Sequence, residues 1–228
     1  MDSRCRYLAQ AGAHDAIFDF RVADAAANGF FSLGQTNLDA NNYFIRGGNG
    51  GNAADWLMVN TVGTALSGGG RNVDTWPIQN ANNTKTITID RMIVSWIKPL
   101  PARNLQRIRL NGTTVWTGPA GGLPSPVNAN ITDFMLNTTP TIYPNNELRF
   151  SGSMAGATNV TIQFVVLLPD GSTRTVQVFP ATNNNNFTVR STGKMTGSNY
   201  YRTIQAEYNA LTSRIIDYDE INTEITAP

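Results

Sequence analysis

The most regular alternation of apolar and polar positions lies between Val160 and Phe179, where VTIQFVVLLPDGSTRTVQVF places Val160, Ile162, Phe164, Val166 and Leu168 on one face of a strand. Pro169-Asp170-Gly171-Ser172 then offers a fixed φ, local Asx hydrogen bonds and a position tolerant of φ > 0, which is the chemistry of a tight reversal. Thr173 to Phe179 resumes the alternation, so the stretch is expected to be an antiparallel hairpin with Val160, Ile162, Phe164, Val166 and Leu168 in the core. The opposite face begins polar at Thr161 and Gln163 but turns apolar at Val165 and Leu167. Both of these are expected to be covered, either by an early segment such as Trp56-Leu57-Met58-Val59 or by a neighbouring subunit.

The same periodicity predicts further strands. Thr84 to Ile97 alternates and then turns uniformly apolar, and Pro99 and Pro101 end it. Leu105 to Trp116 reads as a second hairpin around Asn111-Gly112, the pair favoured in two-residue type I′ turns. Gly118 to Val127 is a Pro/Gly loop, followed by one short strand or turn around Phe134-Met135-Leu136. Strands are expected again at Glu147 to Ser151 and at Phe187 to Arg190. Near the end, Ile204, Tyr208, Leu211 and Ile215 fit a helical stripe, and Ile204, Ala206, Tyr208 and Ala210 fit a strand; strand is the preferred reading for 201–208 and 214–218. Many short strands with turn signals and no βαβ alternation predict an all-β fold, an antiparallel β-sandwich of jelly-roll-like type.

Residues 1–83 carry no sustained period. Short apolar islands stand between Gly- and Asn-rich spacers such as Gly47-Gly48-Asn49-Gly50-Gly51 and Gly68-Gly69-Gly70. This predicts an extended arm whose islands dock elsewhere. The organisation expected is therefore an arm over 1–83, a sandwich over 84–197 and C-terminal strands or tail over 198–228. Interface candidates are Phe18, Phe20, Phe30, Phe31, Tyr43, Phe44, Trp56, Leu57 and Trp76 in the arm, with Val165 and Leu167 on the hairpin.

Composition narrows the function. Only 14% of the 228 residues are charged, against roughly 25% in ordinary soluble domains. Surfaces rich in amides and hydroxyls are desolvated at lower cost than charged ones, which suits extensive permanent interfaces and also sugar-binding surfaces. The net charge is +1, without a Lys/Arg block, so direct nucleic-acid binding is not expected. One cysteine, Cys5, rules out an internal disulfide and a cysteine zinc site. The first residues lead into no apolar signal-peptide core, and no stretch approaches the roughly 18 apolar residues of a membrane span. Neither cofactor nor membrane partner is expected.

Catalytic chemistry has little material. His14 is the sole histidine, so Ser-His-Asp or Cys-His chemistry would run through it alone. Gly152-Ser153-Met154-Ala155-Gly156 matches the nucleophile-elbow pattern but leads into Ala157-Thr158-Asn159, and is expected to be a small-residue loop. Asp217, Asp219 and Glu220 are read as solvation of an exposed end in preference to a Ca²⁺ site. No catalytic or metal residues are assigned. Trp56, Trp76, Trp96 and Trp116 are spaced by twenty, but only the first two share neighbours, so a repeat is not inferred. Trp56 and Trp76, each near Asn, are also the positions at which a sugar ring would stack if they were exposed.

A glycine-punctuated N-terminal arm ahead of a neutral, amide-rich β-sandwich, without a catalytic set or basic patch, resembles virion structural proteins, above all capsid and capsid-decorating proteins of tailed bacteriophages. The resemblance lies in the order of parts. It implies a symmetric homo-oligomer located in the virion, partnered by copies of itself and other virion proteins, in which sandwiches meet laterally and arms lace onto neighbours. Without a basic arm, a cement or decoration role on the outer face is favoured over an inner lining. A tail, neck or fibre component and a lectin-like carbohydrate-binding module are the alternatives.

Overall fold

The structure, a computed structural model, describes residues 2–22, 34–48, 52–182 and 185–226. A helix, α1 (Asp2–Val22), comes first, followed by β1 (Gly34–Asn37), β2 (Asn42–Gly48) and a 3₁₀ turn (Ala53–Trp56). Short strands β3 (Leu57–Val59), β4 (Ala65–Ser67), β5 (Asn72–Asp74) and β6 (Ile78–Asn80) precede the long β7 (Ile87–Ile97). Then come β8 (Leu105–Leu110), β9 (Thr113–Thr117), β10 (Val127–Leu136), β11 (Ile142–Tyr143) and β12 (Glu147–Phe150). The expected hairpin is β13 (Asn159–Leu168) with β14 (Thr173–Phe179), and β15 (Asn186–Met195), β16 (Tyr201–Asn209) and β17 (Arg214–Ile221) complete the chain. All strand pairs are antiparallel, and the class is all-β as expected.

The chain divides into two compact units, one formed by Met1–Asn52 with Asn186–Pro228 and the other by Ala53–Asn185. These units cut across the expected arm, because 34–48 are strands of the first and 57–80 supply strands of the second.

In the first unit the sheet order is β1-β2-β15-β16-β17, with α1 against β2, β15 and β16. The helix replaces the start of the expected extended arm for a plain reason. Cys5, Leu8, Ala9, Gly12, Ala13, Ala16 and Phe20 recur at intervals of three and four, so a helix gathers them on one side, and that side is buried. Small residues let the helix come very close: a Cβ built at Gly193 would stand 2.5 Å from the Ala9 nitrogen, and one at Gly12 2.6 Å from the Phe44 ring. At the helix end Phe20 fills the larger gap, with ring centroids 5.1 Å from Phe187 and 6.0 Å from Tyr208. Arg46 on β2 fixes the helix from the side, reaching Asp15 at 2.9 Å and Asp19 at 2.5 Å. Past β17 the chain folds back over the sheet: Ile225 N donates to Thr192 Oγ1 at 2.9 Å and Lys194 Nζ meets Glu224 at 2.5 Å.

The second unit is the sandwich. One sheet runs β10-β7-β13-β14 and another β4-β5-β12-β8-β9, with a small third sheet β11-β6-β3. Ile87, Ile89, Met92, Val94 and Trp96 of β7 and Val160, Ile162, Phe164 and Val166 of β13 form the buried side of the first. Trp96 meets Phe150 of β12 edge to face at 5.0 Å, joining the two large sheets. The β8–β9 turn has φ of 50° at Asn111 and 79° at Gly112, the left-handed pair that a two-residue type I′ hairpin requires. Asn146, buried, ties three segments: its Nδ2 donates to Trp76 O (2.9 Å) and Tyr143 O (2.8 Å), and its Oδ1 accepts from Asn111 N (2.9 Å).

Candidate assembly surface

The β13–β14 turn is built by Asp170, whose carboxylate accepts from Ser172 N at 3.0 Å and Ser172 Oγ at 2.6 Å while Gly171 takes φ of 70°. The same two side chains reach across the chain. Ala53 N donates to Asp170 at 2.8 Å and Ala54 N to Ser172 Oγ at 2.8 Å, satisfying the free amides at the start of the 3₁₀ turn. At its end Arg174 Nη1 donates to Asp55 O at 2.8 Å. Arg174 is buried, and desolvation pulls its guanidinium down to about 10, opposed by the Asp55 carboxylate. Asn185 clamps Val59 through both N–H (3.1 Å) and C=O (2.8 Å). The Trp56-Leu57-Met58-Val59 island is thus buried within its own unit, its first turn resting on β13 and β14.

That island does not cover the end of the hairpin. The register of β13 on β7 shifts between Val165 and Val166 and again between Val166 and Leu168. The first places the extra residue, Asp90, on β7 and leaves the alternation of β13 intact; the second places Leu167 as the extra residue on β13, so Leu168 faces the side opposite to Val166. Val166 enters the core, but Leu167 is 45% exposed and Leu168 57%. Leu168 therefore departs from its expected core position; Leu167 is not covered by the early segment, one of its two expected covers, and Val165 is half-buried.

Beside them, Thr88 of β7 is in register with both Leu168 of β13 and Met135 of β10. Partners in register point to the same side of a sheet, so Met135, Thr88 and Leu168 form a row across three strands. Met135 is 56% exposed. The rest of this outer face is polar and mostly uncharged: Ser95 and Thr161 share a 2.5 Å hydrogen bond, and Gln163 and Asn128 flank Ile93 in register. Arg91 stands between Asn130 and Val165. An apolar ridge bordered by hydroxyls and amides is chemistry for a protein contact, with few charges to desolvate.

The other sequence candidates are scattered. Trp56, Leu57 and Trp76 are fully buried, Trp76 donating its Nε1–H to Val73 O at 3.1 Å. Neither tryptophan presents a face on which a sugar ring can stack. Phe20 on α1 and Phe44 on β2 are buried, Tyr43 is half-buried on β2, and Phe18 is exposed on α1. Phe30 and Phe31 lie outside the described residues. His14 is exposed on α1, and Ser153 sits in an irregular loop where its hydroxyl accepts from Ala155 N at 3.2 Å. No group of three His, Cys, Asp or Glu is placed to hold a metal ion among the described residues, and no helix there is long and apolar enough to cross a membrane. Sequence reasoning missed Met135 and the exposure of Leu168; the apolar doublet Leu167-Leu168 directly before Pro169 was the available signal.

No family model, curated protein or solved structure matches this chain.

Proposed function

We propose that this chain is a non-enzymatic structural protein of a virion, a capsid cement, decoration or shell component that associates laterally through the outer face of its sandwich; a tail, neck or fibre position would use the same face. The observation that carries the reading is the Met135–Thr88–Leu168 row with Leu167 beside it, an apolar ridge at the rim of an amide- and hydroxyl-rich sheet. Covering the exposed half of each of these three large side chains is worth about 1 kcal/mol apiece. One such contact is weak, but a closed symmetric array repeats it at every subunit.

The test is sedimentation velocity over a concentration series, comparing the native chain with Leu168→Glu and Met135→Glu. The native chain is expected to associate reversibly, and each variant to weaken association at least tenfold with unchanged far-ultraviolet circular dichroism and tryptophan emission. A native chain that stays monomeric at several hundred micromolar, or variants that associate equally well, would remove the ridge from the account.

A further inference from the structure

We propose that the first unit carries a binding site for a carboxylate-bearing saccharide, in the groove between α1 and the β16–β17 edge. Ser3 stands three and four residues before Arg6 and Tyr7, and Gln10 four and three after them, so the four share one side of α1. Arg202 of β16 and Glu220 of β17 form the facing wall of a groove of about 320 Å³. Beyond Arg202 lies a second hollow of about 200 Å³, lined by Tyr200, Tyr201 and Asn222 among others. Arg202 belongs to both, so the two lie side by side on one unit.

The charges are unevenly matched. Glu220 holds Arg202 Nε at 2.8 Å, while Arg6 Nε stands 3.6 Å from the other carboxylate oxygen, and the Arg6 side chain is 56% exposed. Two guanidinium groups share one carboxylate, and the looser of them faces the groove. Tyr7, 70% exposed, and Tyr200, 64% exposed, line the two hollows. Their surroundings are hydroxyl, amide and guanidinium groups and the one carboxylate of Glu220, which Arg202 already holds, with Ile221 the one aliphatic side chain among the lining residues.

This lining tells against a protein hot spot, which centres on a desolvated apolar pocket. It fits a ligand that offers an apolar C–H face to a tyrosine ring, hydroxyls to amides and hydroxyls, and an anionic group to Arg6, which an acidic sugar combines in one molecule. The walls are preformed. Four of the contributing residues are on α1 within about two turns, Arg202 is in the β15–β16–β17 ladder, and Tyr201 Oη donates to Asn222 O at 3.1 Å to close the far end.

The test is calorimetric titration of the full chain with a uronic-acid oligosaccharide, oligogalacturonate of four to six sugars as probe, and with maltohexaose as a neutral counterpart. Saturable binding of the uronate is expected, with at least tenfold weaker binding by maltohexaose. Arg6→Gln and Tyr7→Ala, both at exposed positions, are each expected to weaken uronate binding at least tenfold, Tyr7→Phe to retain it, and Arg190→Gln, on the sheet face away from α1, to change it less than twofold. Absence of saturable uronate binding at millimolar ligand overturns the proposal. So does binding that Arg6→Gln leaves intact, or that Arg190→Gln weakens as much as Arg6→Gln does, since that is non-specific charge attraction.

Discussion

Gly193→Ala tests the helix-on-sheet arrangement of the first unit most sharply. The added Cβ would meet the Cys5 carbonyl oxygen at a separation of 2.1 Å and the Ala9 nitrogen at 2.5 Å, both backbone atoms that no rotamer change moves aside. Ordinary contact begins near 3.4 Å, so α1 must retreat by roughly 1.3 Å at this point. Gaps of 0.5 to 1 Å already forfeit about a quarter to a half of the dispersion attraction between facing atoms. With Cys5, Leu8 and Ala9 all at this contact, the cost falls at the upper end of the overpacking range, about 3 kcal/mol. Gly193 has no left-handed φ to lose, and alanine restricts the unfolded chain more than glycine does, so without the clash the change would be neutral or slightly stabilising. Urea denaturation followed at 222 nm reads α1, and all four tryptophans lie in the other unit, so their emission follows that unit separately. With a denaturant slope of about 1.5 kcal/mol/M, the 222 nm midpoint should fall by about 2 M. A midpoint within 0.3 M of the native chain would show that α1 does not lie where Gly193 requires it.

Two further outcomes are expected. Asn146→Ala leaves the Trp76 and Tyr143 carbonyls and the Asn111 amide without their side-chain partner, and should destabilise the second unit by about 3 kcal/mol, read by tryptophan emission in urea; an unchanged midpoint would deny Asn146 its linking role. Burial holds the Tyr208 phenol above its ordinary 10.0, so the unfolded chain releases that proton first; the stabilisation is complete below pH 10 and is lost as pH rises past it. Alkaline titration should therefore show tyrosinate absorbance at 295 nm rising together with loss of the 222 nm signal, and Tyr208→Phe should move that loss to higher pH; two fully separate transitions would refute the linkage.

What could be read from the sequence depended on how each element marks its buried side. β13 and β14 were legible because Val, Ile and Phe alternate with polar residues, and the Asn111-Gly112 hairpin because its turn demands positive φ. The terminal strands followed from Ile204, Ala206 and Tyr208, which fall on one side of β16. α1 was not legible as a helix because its buried side is Cys5, Ala9, Gly12, Ala13 and Ala16, residues that add little to an apolar periodicity and matter through close approach. Phe18 and Phe20, two apart, would share a side in a strand; the helix turns one to solvent and the other into the core. Most of β10 was hidden likewise, since Val127, Ala129 and Ile131 are buried between Asn128, Asn130 and Thr132 in a segment read mainly as loop. At the proposed surface, Val165 and Leu167 mark the same end of the hairpin as the exposed Leu168. The register shift between Val166 and Leu168 that exposes Leu168 depends on pairing with β7, and no local pattern in β13 encodes it.

The claim that this chain builds a particle is tested most directly by cryo-electron microscopy of the particle from its source. Symmetric copies are expected, in which Met135, Leu167 and Leu168 are buried against a neighbouring subunit. A particle in which that ridge faces open solvent in every copy, or a source in which the protein occurs only as a free monomer, would contradict it.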